Sequence, residues 1–299
     1  MKATCDDCKD LGYIIGRVGE LAEAAVCACQ LRCERCRGMR FRVVSEGGYD
    51  IAQPCSCAGV FERVRAYNSA QIPAAYAQKS LAPRGADDPA WFRDRKIEAL
   101  SRAKVLVGRY QQFSFKPGAD GESPRGLVLV GGPGLGKTHL VCALLGYLTL
   151  EKGVYCRFTD YYQLLAHIRS TFDGKSQESE ATILKPLVDV PVLVIDDLGK
   201  GQATAWEWTI VDQLITRRYN AGRVVLATTN FPLAEDLDRR QQIVSTQRRR
   251  RPAQEESLED RIGERLVSRL RETAEFAVLE GDDYRPLLGQ GLARQARQG

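Results

Sequence analysis

The sequence predicts an α/β domain with a parallel sheet and helices on both faces, preceded by a small cysteine-rich module. Two observations predict this division. From residue 125 onward, short apolar runs alternate with helical patterns, which is typical of parallel sheets. Eight of the ten cysteines, by contrast, lie within the first 57 residues. We therefore expect the module over 1–60, a linker with a helical segment over 61–124, the α/β domain over 125–290 and a tail over 291–299.

The composition is that of an ordinary globular protein. With 44% hydrophobic and 27% charged residues, the chain is neither fibrous nor disordered as a whole. Apolar stretches such as residues 141–150 are shorter than the roughly 18–20 residues that a membrane span needs. The first ten residues contain no apolar signal core. We therefore expect a cytoplasmic protein that does not contact a membrane.

The net charge of +5 is unevenly spread along the chain. Residues 239–251 hold six arginines and no acid, whereas the rest of 125–299 is acidic. Any contact with nucleic acid is therefore expected to be local. The polar segment 243–257 is predicted to be a disordered insertion. Its arginines could bind phosphates, but a solvated loop fits the pattern equally well.

The N-terminal cysteines form two repeats of identical spacing, 28 residues apart. In each repeat a C-x2-C pair and a C-x-C pair flank 18 residues that are typical of a β-hairpin, with a Gly47-Gly48 turn in the second. Four thiolates at this spacing suit a tetrahedral zinc ion. We expect two zinc ions. Their predicted ligands are Cys5, Cys8, Cys27 and Cys29 in the first repeat and Cys33, Cys36, Cys55 and Cys57 in the second.

Other interpretations of these cysteines remain open at this point. Disulfides would suit a secreted module, an iron–sulfur cluster is a minor alternative, and the Cys5/Cys8 pair could join the Cys55/Cys57 pair of the other repeat. The self-similarity of the repeats favours a site within each repeat. The segment has few large apolar side chains, so we expect the metal to supply much of its folding free energy.

A phosphate-binding loop follows the first apolar run of the α/β domain. Gly131-x4-Gly136-Lys137-Thr138 lies between a predicted strand and helix, where backbone N–H groups can converge on the phosphates of ATP or ADP. Lys137 can reach the β and γ oxygens, and the Thr138 hydroxyl can hold magnesium. The Lys-Thr pair disfavours a dinucleotide fingerprint. The expected nucleotide-binding residues are Gly131, Gly132, Pro133, Gly134, Leu135, Gly136, Lys137, Thr138, His139 and Asp196.

Two further apolar runs end in polar side chains. The run 190–196 ends in Asp196, which Asp197 follows, and the run 223–229 is followed by Asn230. In a parallel sheet these side chains meet at the carboxyl edge, where ligands bind. We expect Asp196 to hold magnesium through water and Asp197 to act as general base toward the attacking water. Asn230 is expected to orient that water or to contact the γ-phosphate.

A single helix is predicted from residue 261, followed by a strand at about 275–280. It would carry Arg261, Arg265 and Arg269 on one face at i, i+4 and i+8. No arginine lies next to the phosphate loop, so one of these three is attractive as a residue supplied to a neighbouring subunit's site. A solvated face is the alternative.

Together these motifs resemble the AAA+ ATPases of the bacterial helicase-loader type, DnaC and DnaI, and the related IstB helper ATPases of transposition. The resemblance covers about residues 67–288 and rests on segments 68–76, 131–140, 192–199, 217–233 and 263–285. It implies a five-stranded parallel sheet in the order 5-1-4-3-2 with a reduced or absent helical lid. It also implies that Arg269 is the arginine finger acting in trans, with Arg265 as its nearest competitor.

The resemblance further implies a function in DNA replication. The protein would self-associate with ATP, bind a hexameric replicative helicase through its zinc module and bind single-stranded DNA, and hydrolysis would drive release. DNA contacts would fall within residues 160–174, on Tyr161, Arg169 and Phe172, although such residues are often packing residues. An IstB-like helper that binds duplex DNA and recruits a transposase is the alternative. A non-enzymatic adaptor is a third possibility, disfavoured by the intact set of site residues.

Overall fold

A computed structural model describes residues 5–31, 33–55, 57–79, 125–173, 178–245, 255–281 and 283. Among the described residues, those up to 79 and 142–157 form one compact unit, and 125–141 with those from 158 onward form a second. The helical pattern over 88–113, most of the insertion over 243–257 and the tail over 291–299 lie outside the described residues. The domain boundaries predicted from the sequence stay predictions.

Two antiparallel β-hairpins dominate the first unit. The first pairs β1 (Tyr13–Val18) with β2 (Leu21–Val26), and the second pairs β3 (Phe41–Glu46) with β4 (Tyr49–Pro54). Their registers are related by the 28-residue period of the sequence. Residues 47 and 48 are glycines at positive φ, as a tight two-residue turn requires. Both predicted hairpins are therefore confirmed.

Two helices accompany these hairpins. The short helix α1 (Ala28–Leu31) follows β2, and α2 (Ala58–Ser69) follows β4 and packs against β2. The hydroxyl of Tyr67, buried on α2, donates a hydrogen bond of 3.2 Å to the carbonyl of Ala77. This bond holds the chain beyond α2 against the helix, so the segment that follows the cysteine repeats belongs to the same packed unit.

The second unit is built on a five-stranded sheet within the described part of the chain. The strand order is β6-β7-β8-β5-β9. Counted within the domain, this is the 5-1-4-3-2 order that the resemblance implies. Strands β7 and β8 are buried along their whole length, as a sheet covered on both faces requires. The strands are β5 (Gly126–Gly131), β6 (Cys156–Asp160), β7 (Val192–Asp196), β8 (Val224–Thr229) and β9 (Ala274–Leu279).

Helices connect these strands, and apolar residues of α4, α5, α6 and α9 pack with them in one buried core. Four helices begin at a Ser, Thr or Asp whose side chain accepts a bond from a backbone N–H. None of the helices described is long and apolar enough to cross a membrane. The helices are α3 (Lys137–Leu150), α4 (Tyr161–Ser170), α5 (Glu180–Asp189), α6 (Ala205–Asn220), α7 (Ala234–Ser245), α8 (Leu258–Ile262) and α9 (Glu264–Thr273).

The prediction of one helix from residue 261 is wrong. The chain forms two helices, α8 and α9, which are separated by Gly263 at φ +90°. Glycine adopts this conformation without the steric penalty that a β-carbon brings. Arg261 therefore belongs to α8, whereas Arg265 and Arg269 belong to α9. The three arginines do not form one stripe on a single helix.

A buried arginine joins the segments that lead into β7 and β8. Arg218, on α6, is fully buried and donates only to backbone carbonyls in the bonds described here. Carbonyls that would otherwise be buried without donors are thereby satisfied. The acceptors, at 2.5–3.2 Å, are Leu187, Val188, Val190, Pro191 and Val224.

Candidate functional site

The loop between β5 and α3 has the backbone of a phosphate-binding loop. Gly134 and Gly136 have φ values of +79° and +81°, a region that residues with a β-carbon rarely adopt. At Gly131, a β-carbon would collide with the carbonyl oxygen of Leu279 in the neighbouring strand. Helix α3 begins directly after the loop, at Lys137. The loop glycines thus lie at a helix N-terminus, where backbone N–H groups bind anions.

Lys137 is buried within this loop. Its ammonium donates to the carbonyls of Gly131 and Gly132 at 2.8 and 2.7 Å and to the side-chain oxygen of Asn230 at 2.7 Å. Phosphate oxygens carry charge, so they are stronger acceptors for an ammonium than these three neutral oxygens. The lysine is therefore held ready for a phosphate in the loop.

Thr138 and Asp196 come together at the carboxyl end of β7. The Thr138 hydroxyl contacts both carboxylate oxygens of Asp196, at 2.9 and 3.1 Å, and the Thr228 hydroxyl donates to the same carboxylate at 2.6 Å. Burial raises the pKa of Asp196, and the two hydroxyl bonds act in the opposite direction. A hydroxyl beside a carboxylate is an oxygen-only donor set, which is the kind that magnesium prefers.

Asp197 lies just beyond β7 in a left-handed backbone conformation, at φ +54°. Its backbone N–H donates to the Thr228 hydroxyl at 2.9 Å. Its carboxylate receives bonds from the Asn230 amide at 3.3 Å and from the Lys200 ammonium at 3.0 Å. The bond to Asp197 also raises the pKa of Lys200. Asn230 thus connects the loop lysine with the carboxylate predicted to be the general base.

A cavity of about 830 Å³ opens beside the phosphate-binding loop. This volume lies within the usual range of small-molecule pockets. Residues 130–133, at the end of β5 and the start of the loop, form one wall, and the ends of β8 and β9 form another. Phe231 and Leu279 contribute apolar surface, whereas Asp236 and Glu280 contribute acidic groups. The cavity has room for the uncharged part of a nucleotide next to the loop that would hold its phosphates.

Arg261 supports the segment that follows Asp197. Its guanidinium donates to the carbonyls of Gly199, at 3.0 Å, and Gly201, and it pairs with Glu256 at 2.8 Å. The same group lies over the ring of Phe231, 4.8 Å from its centre. The sequence predicted Arg261 on one helix face with Arg265 and Arg269, whereas the bonds described here direct it to the segment after Asp197. Arg261 therefore positions the loop beside the site.

The two arginines of α9 differ in their surroundings. Arg269 is largely buried, forms an ion pair of 2.8 Å with Asp212 and donates to the Thr216 hydroxyl. Arg265, one turn earlier, is exposed. For Arg269 to enter a neighbouring subunit's site, it must first leave its pair with Asp212. The assignment of either residue as an arginine finger stays a prediction.

The segment predicted to contact DNA is partly buried. Tyr161 lies in the core, so the prediction that its ring stacks on bases is wrong. Phe172 is exposed and meets the ring of Trp206 edge-on, with centres 5.9 Å apart. Arg169 lies 4.9 Å over the same ring and is 3.5 Å from Glu207. Trp206 was missed because it comes from α6, far along the chain from the predicted segment.

Each cysteine repeat brings its four sulfur atoms within 4.8 Å of one another. Four thiolates about 2.3 Å from one zinc ion stand roughly 3.8 Å apart, whereas a disulfide needs about 2.05 Å. The sulfur distances therefore fit zinc and not disulfides, and they favour one site within each repeat over the nested arrangement. The closest pairs are Cys5–Cys27 at 3.7 Å, Cys8–Cys29 at 3.6 Å, Cys33–Cys55 at 3.8 Å and Cys36–Cys57 at 3.5 Å.

Backbone N–H groups stabilise sulfur charge in both repeats. The N–H of Gly12 lies 3.3 Å from the Cys8 sulfur, and that of Arg40, 28 residues later, lies 3.3 Å from the Cys36 sulfur. A bond from the backbone of Cys57 is the main cause that lowers the pKa of Cys55 to about 6. Desolvation by burial raises the pKa values of Cys29 and Cys57 to about 12. Thiolates are the form in which cysteine binds metals, so these two thiols need the charge of a bound metal ion to ionise.

The chain is similar to known ATP-binding proteins and helicase loaders. Residues 121–241 match the family described as IstB-like ATP binding protein. The replicative helicase loader DnaC of Buchnera aphidicola subsp. Schizaphis graminum is 28% identical over 198 residues, which is 65% of this chain and 68% of that protein. The DnaC of Escherichia coli K12 is 29% identical over 140 residues, 47% of this chain and 52% of the relative.

Two further similar proteins extend the comparison. YqaM of Bacillus subtilis, an uncharacterised protein, is 30% identical over 154 residues, covering 50% of this chain and 47% of its own length. A crystal structure of the DnaC helicase loader is 27% identical, with a TM-score of 0.49, and the match covers 69% of this chain and 99% of the other. With several of these relatives, the match spans only about half of the relative.

The sheet order and the phosphate-binding loop define the second unit as a nucleotide-binding P-loop domain of the AAA+ class. Residues 121–241 match the IstB-like ATP-binding family, and over 198 residues the chain is similar to a DnaC-type helicase loader. The two cysteine clusters at its N-terminus are consistent with a zinc module.

Two residues of this site, Thr228 and Lys200, were not predicted from the sequence. Thr228 lies inside an apolar strand, where a threonine is usually read as a β-former, but its hydroxyl reaches both Asp196 and the N–H of Asp197. Lys200 pairs with Asp197 across a turn whose shape the sequence does not reveal. The sequence indicated a role for these two residues only through their position, because each lies within four residues of a predicted site residue.

Proposed function

We propose that this protein is an ATP-dependent loader of a replicative DNA helicase. The observation that carries the proposal is the alignment of this chain, over 198 residues, with a protein named as a replicative helicase loader. The cluster of Lys137, Thr138, Asp196 and Asn230 adds support, because it has the groups that ATP hydrolysis requires.

In this proposal the chain hydrolyses ATP to ADP and phosphate. Lys137 would exchange its loop carbonyls for the β and γ oxygens of the nucleotide. Thr138 and Asp196 would hold Mg²⁺, which neutralises phosphate charge when it is bound. Asp197 would accept a proton from the attacking water, and Asn230 would orient that water. The bond between Asn230 and Asp197 supports this division of roles.

Hydrolysis would require a neighbouring subunit. We propose that ATP-bound subunits associate head to tail and that Arg269 of one subunit completes the site of the next, with Arg265 as the alternative. Arg265 is exposed, whereas Arg269 is paired with Asp212. Experiments can therefore distinguish the two candidates. If Arg269 is the finger, assembly must provide an acceptor stronger than Asp212, and the γ-phosphate of a neighbour is such an acceptor.

The zinc module would bind the helicase, and the ATPase domain would bind single-stranded DNA. Each cysteine cluster would hold one zinc ion, whose role when bound is to stabilise the fold of its knuckles and hairpin. The exposed Phe172 and the Arg169–Trp206 pair offer a ring and a positive charge, the combination on which bases stack and phosphates bind. Hydrolysis would then release the helicase onto the DNA.

One observation favours a second candidate function. Residues 121–241 match the IstB-like family, and the resemblance noted above includes helper ATPases of transposition. Such a helper would bind duplex DNA and recruit a transposase through the same ATPase site. The tandem cysteine module favours the loader, because a helper of this type is expected to begin with a short helical domain.

Native mass spectrometry of the protein mixed with the replicative helicase of its host tests the proposal. With ATP and Mg²⁺ we expect a complex of helicase with several copies of this protein. The variant Lys137→Ala, which removes the phosphate-binding ammonium, is expected to form fewer such complexes. Absence of any complex with ATP, with ADP or without nucleotide would reject the loader. Binding to duplex DNA would then be measured to test the helper.

A further inference from the structure

The two cysteine repeats have the same backbone conformation, but among the described residues α2 covers the first hairpin and leaves apolar residues of the second exposed. Residues 28 positions apart adopt the same conformation, as in the positive φ of Lys9 and Arg37, at 49° and 50°. Tyr13 opposes Val26 in the first hairpin just as Phe41 opposes Pro54 in the second. The first hairpin therefore shows, position by position, how the second one can be covered.

Helix α2 and the residues after it cover the edge and one face of the first hairpin. Ala24 of β2 is only 4% exposed. Its backbone N–H donates to the side chain of Asn68 at 2.7 Å, and its carbonyl accepts from the same side chain at 3.0 Å. The N–H of Ala22 donates to the carbonyl of Ile72 at 2.7 Å. A helix followed by an extended segment thus satisfies the free edge of β2.

The matching positions of the second hairpin are open. Phe41 and Val43, which correspond to Tyr13 and Ile15, are 44% and 61% exposed. Ala52, which corresponds to the buried Ala24, is also exposed. Among the described residues, the outward backbone N–H groups of Asp50 and Ala52 have no hydrogen-bond acceptor. An unpaired edge beside an apolar face is a surface that binds another chain.

We propose that the second hairpin binds an amphipathic helix of the replicative helicase in the way that the first hairpin binds α2. Residues 41–54 are called the docking hairpin. The inference rests on the proposed function, which names the replicative helicase as the partner. Phe41, Val43 and Ala52 would receive the apolar stripe of the helix. An amide side chain near the end of that helix would bond the backbone of Ala52, as Asn68 bonds that of Ala24.

The charges of the docking hairpin distinguish this occupant from a second copy of the chain. Asp50 stands where the first hairpin has Ala22, which is almost fully buried beneath the segment 72–74. In a second copy, that apolar segment would lie on the Asp50 carboxylate, and burying an uncompensated carboxylate is unfavourable. Asp50 instead calls for a partner in which the segment after the helix brings a lysine or arginine to this position. The hydroxyl of Ser45 already donates to Asp50 and leaves further acceptor sites on the carboxylate.

The affinity of the intact protein for its host's replicative helicase, measured with ATP, tests the inference. Val43→Lys places a charge on the docking hairpin and is expected to weaken binding at least tenfold. The matched control is Val18→Lys, on the first hairpin, because Val18 is 57% exposed and Val43 is 61% exposed. This control is expected to bind within twofold of the unaltered chain. Zinc content verifies that both variants keep their folded module.

The outcomes separate the inference from the proposed function. Unaltered binding by Val43→Lys, with the unaltered chain binding normally, would overturn the docking hairpin and leave the loader in place. Equal weakening by Val43→Lys and Val18→Lys would also overturn it, because the effect would not belong to the second hairpin. If the unaltered chain does not bind the helicase at all, both the loader function and the binding of a helicase helix to the docking hairpin are contradicted. Asp50→Lys is a second variant, expected to weaken binding by repelling the cation of the segment after the helix. Unchanged affinity would overturn the predicted ion pair with Asp50.

Discussion

The ammonium of Lys137 lies 2.7 Å from the side-chain oxygen of Asn230, and the amide of the same asparagine donates to Asp197. Asn230 therefore joins the residue that would hold the γ-phosphate to the residue that would activate water. The three side chains form one connected set.

Asn230→Ala should lower ATP turnover by about 10²-fold, the usual cost of removing one well-placed polar group from a reacting centre. Nucleotide affinity should stay within twofold, because the loop and Lys137 remain. Steady-state phosphate release and fluorescent-ADP binding measure the two quantities. Asn220→Ala, at the exposed end of α6, is the matched control and should leave both unchanged. Full turnover in Asn230→Ala would remove Asn230 from the mechanism.

Asp197→Asn should abolish most of the turnover, by about 10²-fold or more, because an amide cannot accept the proton of the attacking water. ATP should still bind, since the phosphate loop and Asp196 are intact. The measurement is phosphate release in a single turnover at saturating ATP. Asp189→Asn, an exposed carboxylate at the end of α5, serves as control. Turnover of Asp197→Asn at the original rate would show that another group is the base.

Arg269→Ala should lower turnover by about 10³-fold without loss of nucleotide affinity, if Arg269 acts on a neighbouring subunit. Mixing with Lys137→Ala subunits should restore activity, because those subunits keep their arginines. Asp212→Ala separates this role from a structural one, since it breaks the same intrasubunit ion pair. An equal loss in Asp212→Ala, or no rescue in the mixture, would contradict a role in trans.

The protein should bind two zinc ions per chain, one in each cysteine cluster. Cys8→Ser and Cys36→Ser occupy equivalent positions in the two repeats, and each should lose one ion. Elemental analysis of the purified protein counts the ions. A strong chelator should lower the unfolding temperature of the module, because metal binding supplies folding free energy. Loss of both ions in either variant would indicate that the clusters share ligands.

Arg218→Met should destabilise the fold by about 3 kcal/mol or more, because the buried carbonyls around it lose charged donors. Methionine keeps most of the side-chain volume, so the change isolates the hydrogen bonds. Urea unfolding measures the free energy. Arg217→Met, the exposed neighbour on the same helix, is the matched control and should shift stability little. Equal stability of the two variants would show that water replaces Arg218.

Much of this architecture was predictable because its signals are local. The cysteine spacing fixes two knuckles, the 28-residue period relates the hairpins, and the Gly131–Thr138 motif needs only a strand before it and a helix after it. The resemblance supplied the strand order. The predictions that were wrong depend on contacts between residues distant in sequence or on one backbone angle. Gly263 broke a helix that periodicity alone continues, and Tyr161 turned inward because α4 packs on the sheet.

Residues with long-range partners were the hardest to predict. The sequence patterns assign no role to Arg218, yet it binds carbonyls of segments that meet only in the fold. Trp206 and Phe172 lie on different elements and form a cluster only through tertiary packing. The second hairpin is predicted from its cysteine spacing and its turn, but its apolar residues are exposed. A sequence pattern predicts that a face is apolar, and not which chain covers it.

The most direct test of the central claim is transfer of the host's replicative helicase onto single-stranded DNA. The helicase, this protein and ATP are incubated with circular single-stranded DNA carrying an annealed oligonucleotide, and strand displacement is measured. We expect the intact protein with ATP to increase displacement severalfold over helicase alone, and the Asp197→Asn variant to do so far less. Displacement that is unchanged by the intact protein, at concentrations at which it binds the helicase, would contradict a loader function.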